Sequence, residues 1–433
     1  MKLKSPLKIA IAGLGTVGVG LIRQLDANGA LLERRCGRKI QIVAVSARNK
    51  DRDRGINIQN FNWFENPEMM AEHADVDVIV ELIGGQEGVA KAICEKSLAT
   101  GKSVVTANKA LIAHYGFSLA NYAETEKLSL AYEAAVGGGI PIIKTLREGL
   151  AGNKITSLYG ILNGTSNYIL TAMRNTSRDF NDVLEEAQSM GFAESNPSFD
   201  IDGIDSAHKL AILASVSFGC KINFKDVYVE GIRHISPLDL TLAEELGYRI
   251  KLLGIARLTD NGIEQRVHPC MVSLDSPITH VEGVQNAVVV ESDGAGPTIY
   301  EGIGAGGGPT ASAVISDLID IARNFKTPTF GLPINKLKSL PTVRMDRHVG
   351  AFYIRLMVVD RPGVFAEVAS VLRDEAVSME AILQKTHAPG NSVPVVMTTH
   401  DVEEGALNRV LEKFQELETV VEKPRMIRIE PLN

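Results

Sequence analysis

The sequence predicts an α/β protein in three parts: a doubly wound parallel sheet over residues 1–135, an α+β region over 136–325 and, past a linker over 326–349, a β-α-β-β-α-β module over 350–433. Three observations predict this. Short apolar runs alternate with helical patterns through the first part of the chain. A glycine-rich turn joins the first of those runs to the first helix. The last part repeats strands and helices in ferredoxin-like order.

The first element is "KIAIAGLGTVGVGLIRQL", residues 8–25. Gly13, Gly15 and Gly18 stand at G-x-G-x-x-G directly after the apolar run Ile9, Ala10, Ile11, Ala12. Strand, glycines and helix in that order form a Rossmann-like dinucleotide turn. Gly13 makes the tight turn, Gly15 admits a pyrophosphate to the backbone, and Gly18 lets helix and strand pack closely. A basic start followed by an apolar run also opens a signal peptide, but "LIRQLDANGA" carries Arg23 and Asp26 where a small-residue cleavage site would fall. The following strands are "QIVAVS" (41–46), "VDVIVELI" (76–83), "KSVVTA" (102–107) and "LSLAYE" (128–133), the last ending at Glu133. "GVAKAICEKSLAT" and "FSLANYAETEK" supply helices between them.

The middle region mixes helices with strand-like runs such as "KITSLYGIL" and "AVVVES". It ends in "GIGAGGGPTASAVISDLIDIA" (302–322), a glycine loop feeding a helix. The loop lacks the G-K-[ST] ending of a triphosphate-binding loop. It serves either as a tight packing turn or as a closure over the first domain's cofactor, completing that domain with part of 302–325. Pro328, Pro333 and Pro341 mark the linker. The final module, with a complete pattern of its own, is expected to form a separate domain.

Composition narrows the function. Hydrophobic content of 45% suffices for full cores, and the net charge of −7 argues against a nucleic-acid partner. The segment "RNKDRDR" mixes signs and reads as a solvated loop. No apolar run is long enough to span a membrane. Cys36, Cys94, Cys220 and Cys270 are widely spaced, as in reduced cytoplasmic proteins, and neither cysteines nor histidines fall at transition-metal spacing.

The strongest chemical signal is "GFAESNPSFDIDGIDSAHKLAILASVSFG", residues 191–219. Glu194, Asp200, Asp202 and Asp205 crowd ahead of a helix on which Lys209 lies four residues after Asp205, on the same face. The residues that follow are apolar almost all round, so the pair starts a buried helix. An exposed ion pair is the alternative. In "TANKALIAHYG" (106–116), Lys109 follows a buried strand at the carboxyl edge of the sheet, where open α/β folds bind ligands. A lysine titrates near ~10.4 in isolation, and a like charge or desolvation would lower it towards useful proton exchange. Lys209 would then protonate a developing alkoxide, while Glu194 and Asp205 grip an ammonium or hydroxyl. The residues alone thus define a nucleotide-dependent oxidoreductase for a small, amino-bearing substrate. In "YEAAVGGGIPII" (132–143), the glycines after Glu133 suit either an inter-domain hinge or a carbonyl-lined site for a monovalent cation.

Taken together, "IAGLGTVGVGL", "VTANKALIA", "YEAAVGGGIPII", "GILNGTSNYIL" and "GFAESNPSFDIDGIDSAHKLAIL" resemble the homoserine dehydrogenases, in family order from residue 8 to about 325. The resemblance implies reversible, NAD(P)H-dependent reduction of L-aspartate 4-semialdehyde to L-homoserine, on the route to threonine, methionine and isoleucine. It makes Lys209 the proton donor and Lys109 its catalytic, cofactor-proximal partner. Substrate would be bound by Glu194, Asp205 and Gly191. Gly13, Leu14, Gly15, Thr16, Val17 and Gly18 would hold the pyrophosphate, and Gly302 would touch the cofactor. A sodium ion would sit on Glu133 and the carbonyls of Val136, Gly138 and Ile140. After the second strand, Arg48 and Lys50 precede the first acid, Asp51, which favours NADP and leaves dual use with NAD open. The module containing "VVDRPGVFAEVASVL" resembles an ACT domain, with Asp360, Arg361, Pro362 and Gly363 at the turn where such domains bind an amino acid, here threonine by implication. The resemblance further implies a cytoplasmic homodimer or homotetramer, and with no kinase region ahead of residue 8 the chain is expected to be monofunctional. A 3-phosphoglycerate dehydrogenase would need a catalytic histidine and a nucleotide domain inserted mid-chain. A non-enzymatic amino-acid sensor would be expected to have lost Lys109 or Lys209, and both are present.

Overall fold

The computed structural model describes residues 5–384 and 388–432. The first sheet is six-stranded and parallel, in the order Asn62–Phe64, Ile40–Ser46, Leu7–Ala12, Val78–Glu81, Ser103–Thr106, Leu130–Ala131. Its central strands are apolar on both faces, as a sheet covered on both sides by helices requires. The strand order reverses beside Leu7–Ala12, so the crevice beyond its carboxyl end is a topological switch point. The helix Thr16–Cys36 leaves from that end, and Gly37 closes it in the left-handed conformation.

Two details depart from the sequence reading. The edge strand Asn62–Phe64 was not anticipated, because three residues are too few to show a period. The run 128–133 pairs only over Leu130–Ala131. Glu133 opens a one-turn 3-10 helix instead of ending a strand, and its N–H donates to Asp317 Oδ2 at 2.9 Å, where the ladder would have continued.

The second sheet is mixed and joins the rest of the chain. Its catalytic portion orders Gly296–Ile303, Gln285–Ser292, Ile155–Ile161, Tyr248–Thr259 and Gly262–Ser273. The strands Arg425–Glu430, Val349–Val359, Ser392–Thr399 and Met379–Leu383 follow without a break, giving the ferredoxin-like order of the last module. The junction is a parallel pairing of Cys270, Met271 and Val272 with Arg428, Ile429 and Glu430. The module therefore shares a sheet with the middle domain, since its otherwise exposed edge strand finds backbone partners there. Buried ion pairs reinforce the seam: Arg266 with Glu430, Arg428 with Glu404 and Glu230, and Arg355 with Asp239 at 2.7 Å. The segment 326–349 is also laid down on the protein, with Phe330, Ile334 and Leu337 buried and Thr329 accepting the Tyr132 hydroxyl at 2.9 Å.

The glycine loop ends in the helix Gly307–Arg323, which packs against Thr16–Cys36. A Cβ on Gly20 would lie 2.4 Å from the Gly307 carbonyl oxygen, so the two helices approach at backbone distance. Late chain thus completes the wall beside the first glycine turn. No helix among the described residues is long and apolar enough to cross a membrane.

Candidate active site

The nucleotide crevice is built by the glycines. A Cβ on Gly18 would fall 2.1 Å from the Gly13 carbonyl oxygen, and one on Gly13, at φ +106°, 2.5 Å from the Leu82 carbonyl oxygen. Gly15 has open space before it and supplies no side-chain cap, so the first N–H groups of Thr16–Cys36 are free for an anion. A cleft of about 640 Å³ opens there, lined by Leu14, Gly15, Thr16, Arg23, Arg54 and Gly307, among others. This arrangement fits a dinucleotide pyrophosphate. Gly18→Ala is expected to abolish measurable NADPH binding in a fluorescence titration, because the clash is with backbone; wild-type affinity would contradict the packing.

Next to it, Val17 shares a small recess with Glu81, Gly84 and Asn108. Glu81 ends its buried strand and accepts from the Ile83 and Gly84 N–H groups at 2.7 and 2.9 Å and from the Thr106 hydroxyl at 2.6 Å. Burial raises its carboxyl above the usual range despite these bonds. Arg48 is exposed and lies outside the cleft lining, whereas Arg54 enters it, donating to the Leu14 carbonyl at 3.2 Å. Gly302 is a strand residue paired with Asn286, and the residues after it, 303–306, line a neighbouring cleft.

That second cleft, about 520 Å³, contains Lys109, Lys209, Asp205, Asp200, Gly191 and Asn286. Lys209 stands on the helix Ile204–Phe218, whose residues are buried from Asp205 through Val216. Its ammonium donates to Asp205 Oδ2 at 2.7 Å and to the Leu162 carbonyl at 2.6 Å, leaving its third N–H for a ligand. Lys109, the first residue of the helix Lys109–Thr125, reaches the other oxygen of the same carboxylate at 3.0 Å. One buried aspartate therefore holds both lysines. Burial alone would raise the Asp205 carboxyl, but the charges of Lys209 and Lys109 and the bonds from Lys209 and Asn163 hold it well below the usual range. The Asp205 charge raises Lys109, outweighing the opposing effect of burial. Lowering by a like charge does not occur at Lys109, and it stays cationic.

Asn163 ties the acids together, donating to Asp200 Oδ1 at 2.8 Å and Asp205 Oδ2 at 2.9 Å while its own Oδ1 caps the helix Gly164–Thr176. The Asn286 Oδ1 is buried without a partner at the cleft wall. Neither asparagine was assigned a role from sequence; the signal for Asn163 was a capping residue directly after a buried strand in "ILNGTS". Glu194 is exposed and outside the lining, though its charge adds to the rise at Lys109. Asp202 turns away to pair with Arg233.

The Glu133 carboxylate is buried and accepts the Ile143 and Lys144 N–H groups at 2.9 and 2.8 Å. Burial and the neighbouring Asp317 raise its pKa to about 8. Gly137 and Gly138 follow with positive φ, and a Cβ on Gly138 would strike the Gly304 carbonyl oxygen at 2.3 Å. The Ile140 carbonyl already accepts the Ile142 N–H at 2.8 Å. In the last module, Asp360 Oδ2 accepts the Ala388 N–H at 2.7 Å, Arg361 pairs with Glu367 at 3.1 Å, and Gly363, following Pro362, takes φ +98° to start the helix Val364–Asp374.

A nucleotide crevice beside two lysines on one buried carboxylate defines a nicotinamide-dependent oxidoreductase. Residues 13–133 match the family described as homoserine dehydrogenase, NAD binding domain, residues 141–319 match homoserine dehydrogenase, and residues 352–419 match the ACT domain. The chain is 43% identical over 437 residues to the homoserine dehydrogenase of Pseudomonas aeruginosa, covering 99% of this chain and 100% of that one. It is 42% identical to that of Neisseria gonorrhoeae over 99% of both. The crystal structure of a homoserine dehydrogenase from Thiobacillus denitrificans superposes with a TM-score of 0.93 at 43% identity over 99% of both chains. A hyperthermophilic archaeal homoserine dehydrogenase in complex with NADPH gives 0.64 at 29% identity over 75% of this chain and 99% of that one. The chain belongs to the homoserine dehydrogenase family.

Proposed function

We propose that the protein reduces L-aspartate 4-semialdehyde to L-homoserine reversibly, with NADPH preferred over NADH. The observation that carries the reading is the shared Asp205 carboxylate, which fixes two ammonium groups in one cleft next to the nucleotide crevice. The nicotinamide, when bound, supplies the hydride. Lys209, with two N–H groups committed and one free, donates its proton to the carbonyl oxygen as negative charge develops there. Lys109 stays cationic and stabilises that charge from the cofactor side. The substrate ammonium falls to Asp205 in the cleft, with Glu194 acting from outside its lining, Gly191 within the lining and the unpartnered Asn286 Oδ1 as a further acceptor. The arginines near the nucleotide cleft, Arg54 in its lining and Arg48 outside it, and the lack of an acid before Asp51 support NADPH. The test is NADPH- and NADH-dependent turnover of the semialdehyde and the reverse oxidation of homoserine. Turnover in both directions is expected; cofactor binding without turnover would leave only a sensor.

An all-oxygen donor set, Glu133 with the carbonyls of Val136, Gly138 and Ile140, suits a hard monovalent cation, and a cation there would offset the buried negative charge of Glu133 and Asp317. Replacing sodium chloride by choline chloride at equal ionic strength is expected to lower Tm in the wild type and not in Glu133→Gln. Equal Tm values in both salts would count against the cation. The ACT domain is read as the seat of threonine feedback at Asp360–Gly363, in a cytoplasmic homodimer or homotetramer feeding threonine, methionine and isoleucine synthesis. The four free, buried cysteines support the cytoplasmic location.

A further inference from the structure

We infer that Glu81 and Thr106 are positioning residues for the reaction. They lock the turn at 82–85 to the start of the helix that carries Lys109, and their importance rests on the catalytic role proposed for that lysine.

Glu81 is the last residue of the strand Val78–Glu81, and Thr106 is the last of its parallel neighbour, Ser103–Thr106. The register pairs the two directly, so their side chains stand on one face of the sheet at its carboxyl edge. Both residues are 0% exposed.

A buried carboxylate is costly unless its oxygens are bonded. Glu81 meets that condition with neutral donors from two different segments. Its Oε1 accepts the Ile83 and Gly84 N–H groups at 2.7 and 2.9 Å, and its Oε2 accepts the Thr106 hydroxyl at 2.6 Å. Gly84 and Gly85, at φ +85° and +90°, fold the turn back towards the carboxylate. Thr106 Oγ1 in turn accepts the Asn108 N–H at 3.0 Å. Asn108 closes the circuit. Its Nδ2 donates to the Gly85 carbonyl at 2.6 Å, and its Oδ1 caps the helix by accepting the Leu111 N–H at 3.0 Å.

Lys109 is the first residue of that helix, so it is fixed at both ends. Asp205 holds its ammonium at 3.0 Å, and the Glu81–Thr106–Asn108 circuit holds its backbone. The same circuit sets the wall of the recess of about 120 Å³ that Leu82, Ile83, Gly84 and Asn108 share with Val17. The two N–H groups at 83 and 84 would by themselves satisfy the turn. The bond to Thr106 adds a tie to the neighbouring segment, which makes recess and lysine one unit.

Thr106→Val keeps the shape of the side chain and cuts this tie, while Glu81 keeps both turn N–H groups. At saturating NADPH, kcat for the semialdehyde is expected to fall ~10-fold or more, with NADPH affinity by fluorescence titration within a few-fold of wild type. Thr106→Ser returns the hydroxyl and should bring kcat back to within a few-fold. Glu81→Leu strands the Ile83 and Gly84 N–H groups, so NADPH affinity should fall ~10-fold or more. Glu81→Gln, whose amide oxygen can still accept both, should recover it. The proposal is overturned if Thr106→Val keeps the wild-type kcat or loses kcat and NADPH affinity together. It is also overturned if Thr106→Ser is as impaired as Thr106→Val, or if Glu81→Leu binds NADPH as tightly as the wild type. A wild type that binds NADPH without turnover would fault the catalytic reading instead, and the Glu81→Leu titration would still decide whether the carboxylate sets the turn.

Discussion

Asp205→Asn is expected to lower kcat by ~10²-fold or more while leaving NADPH affinity within a few-fold of wild type. The substitution keeps the shape of the side chain and removes the charge that meets Lys209 at 2.7 Å and Lys109 at 3.0 Å. The amide offers one neutral acceptor oxygen where the carboxylate offered two charged ones, so Lys209 and Lys109 can no longer both be held, and Lys109 would lose the principal cause of its raised pKa. Both ammonium groups would then lose the common anchor that places them on one side of the substrate. The nucleotide cleft is lined by other residues, so cofactor affinity should not follow. Steady-state kinetics with a parallel NADPH titration decides it: near-wild-type kcat would mean the carboxylate is structural only.

The second large effect is on stability. Glu430→Ala is expected to cost about 3 kcal/mol by denaturant unfolding, because it leaves the buried Arg266 guanidinium with only the more distant Glu264 carboxylate, 3.5 Å from its Nε, as counter-charge. Each side chain of this pair is 2% exposed, so water cannot take over. His268 and Cys270 share the surroundings of Glu430, and neither supplies a negative charge: burial and the neighbouring arginines push His268 well below its usual pKa, and burial pushes the Cys270 thiol well above its own. The pair lies where Cys270–Val272 meet Arg428–Glu430, so the loss should loosen the ACT domain from the catalytic sheet. A change below about 1 kcal/mol, the range of an exposed pair, would refute a buried, coupled seam.

How much of this was legible in the chain depended on the range of the interaction. The glycine turn and its helix were readable because strand, turn and helix lie within one short stretch. The Asp205–Lys209 pair was readable because four residues place two side chains on one helix face. That Lys109 would reach the same carboxylate was not in any local pattern; it follows from two helices distant in sequence converging at the sheet edge. The direction of the pKa change at Lys109 turned on this, since a lysine judged beside another lysine is lowered, while one sharing a buried aspartate is raised. The shared sheet was hidden for a related reason: the ACT pattern is complete in itself, and nothing local says that its edge strand pairs with Gly262–Ser273. The resemblance supplied what spacing could not, a proposed substrate and a proposed cation.

Lys209 is proposed to deliver the proton that accompanies hydride transfer. The most direct measurement is the single-turnover rate of NADPH oxidation by enzyme premixed with NADPH and then with L-aspartate 4-semialdehyde, wild type against Lys209→Ala. A chemical step slowed by ~10²–10⁴-fold at unchanged NADPH affinity is expected. A chemical step of wild-type rate in Lys209→Ala would contradict it and pass the proton donor's role to another group in the cleft.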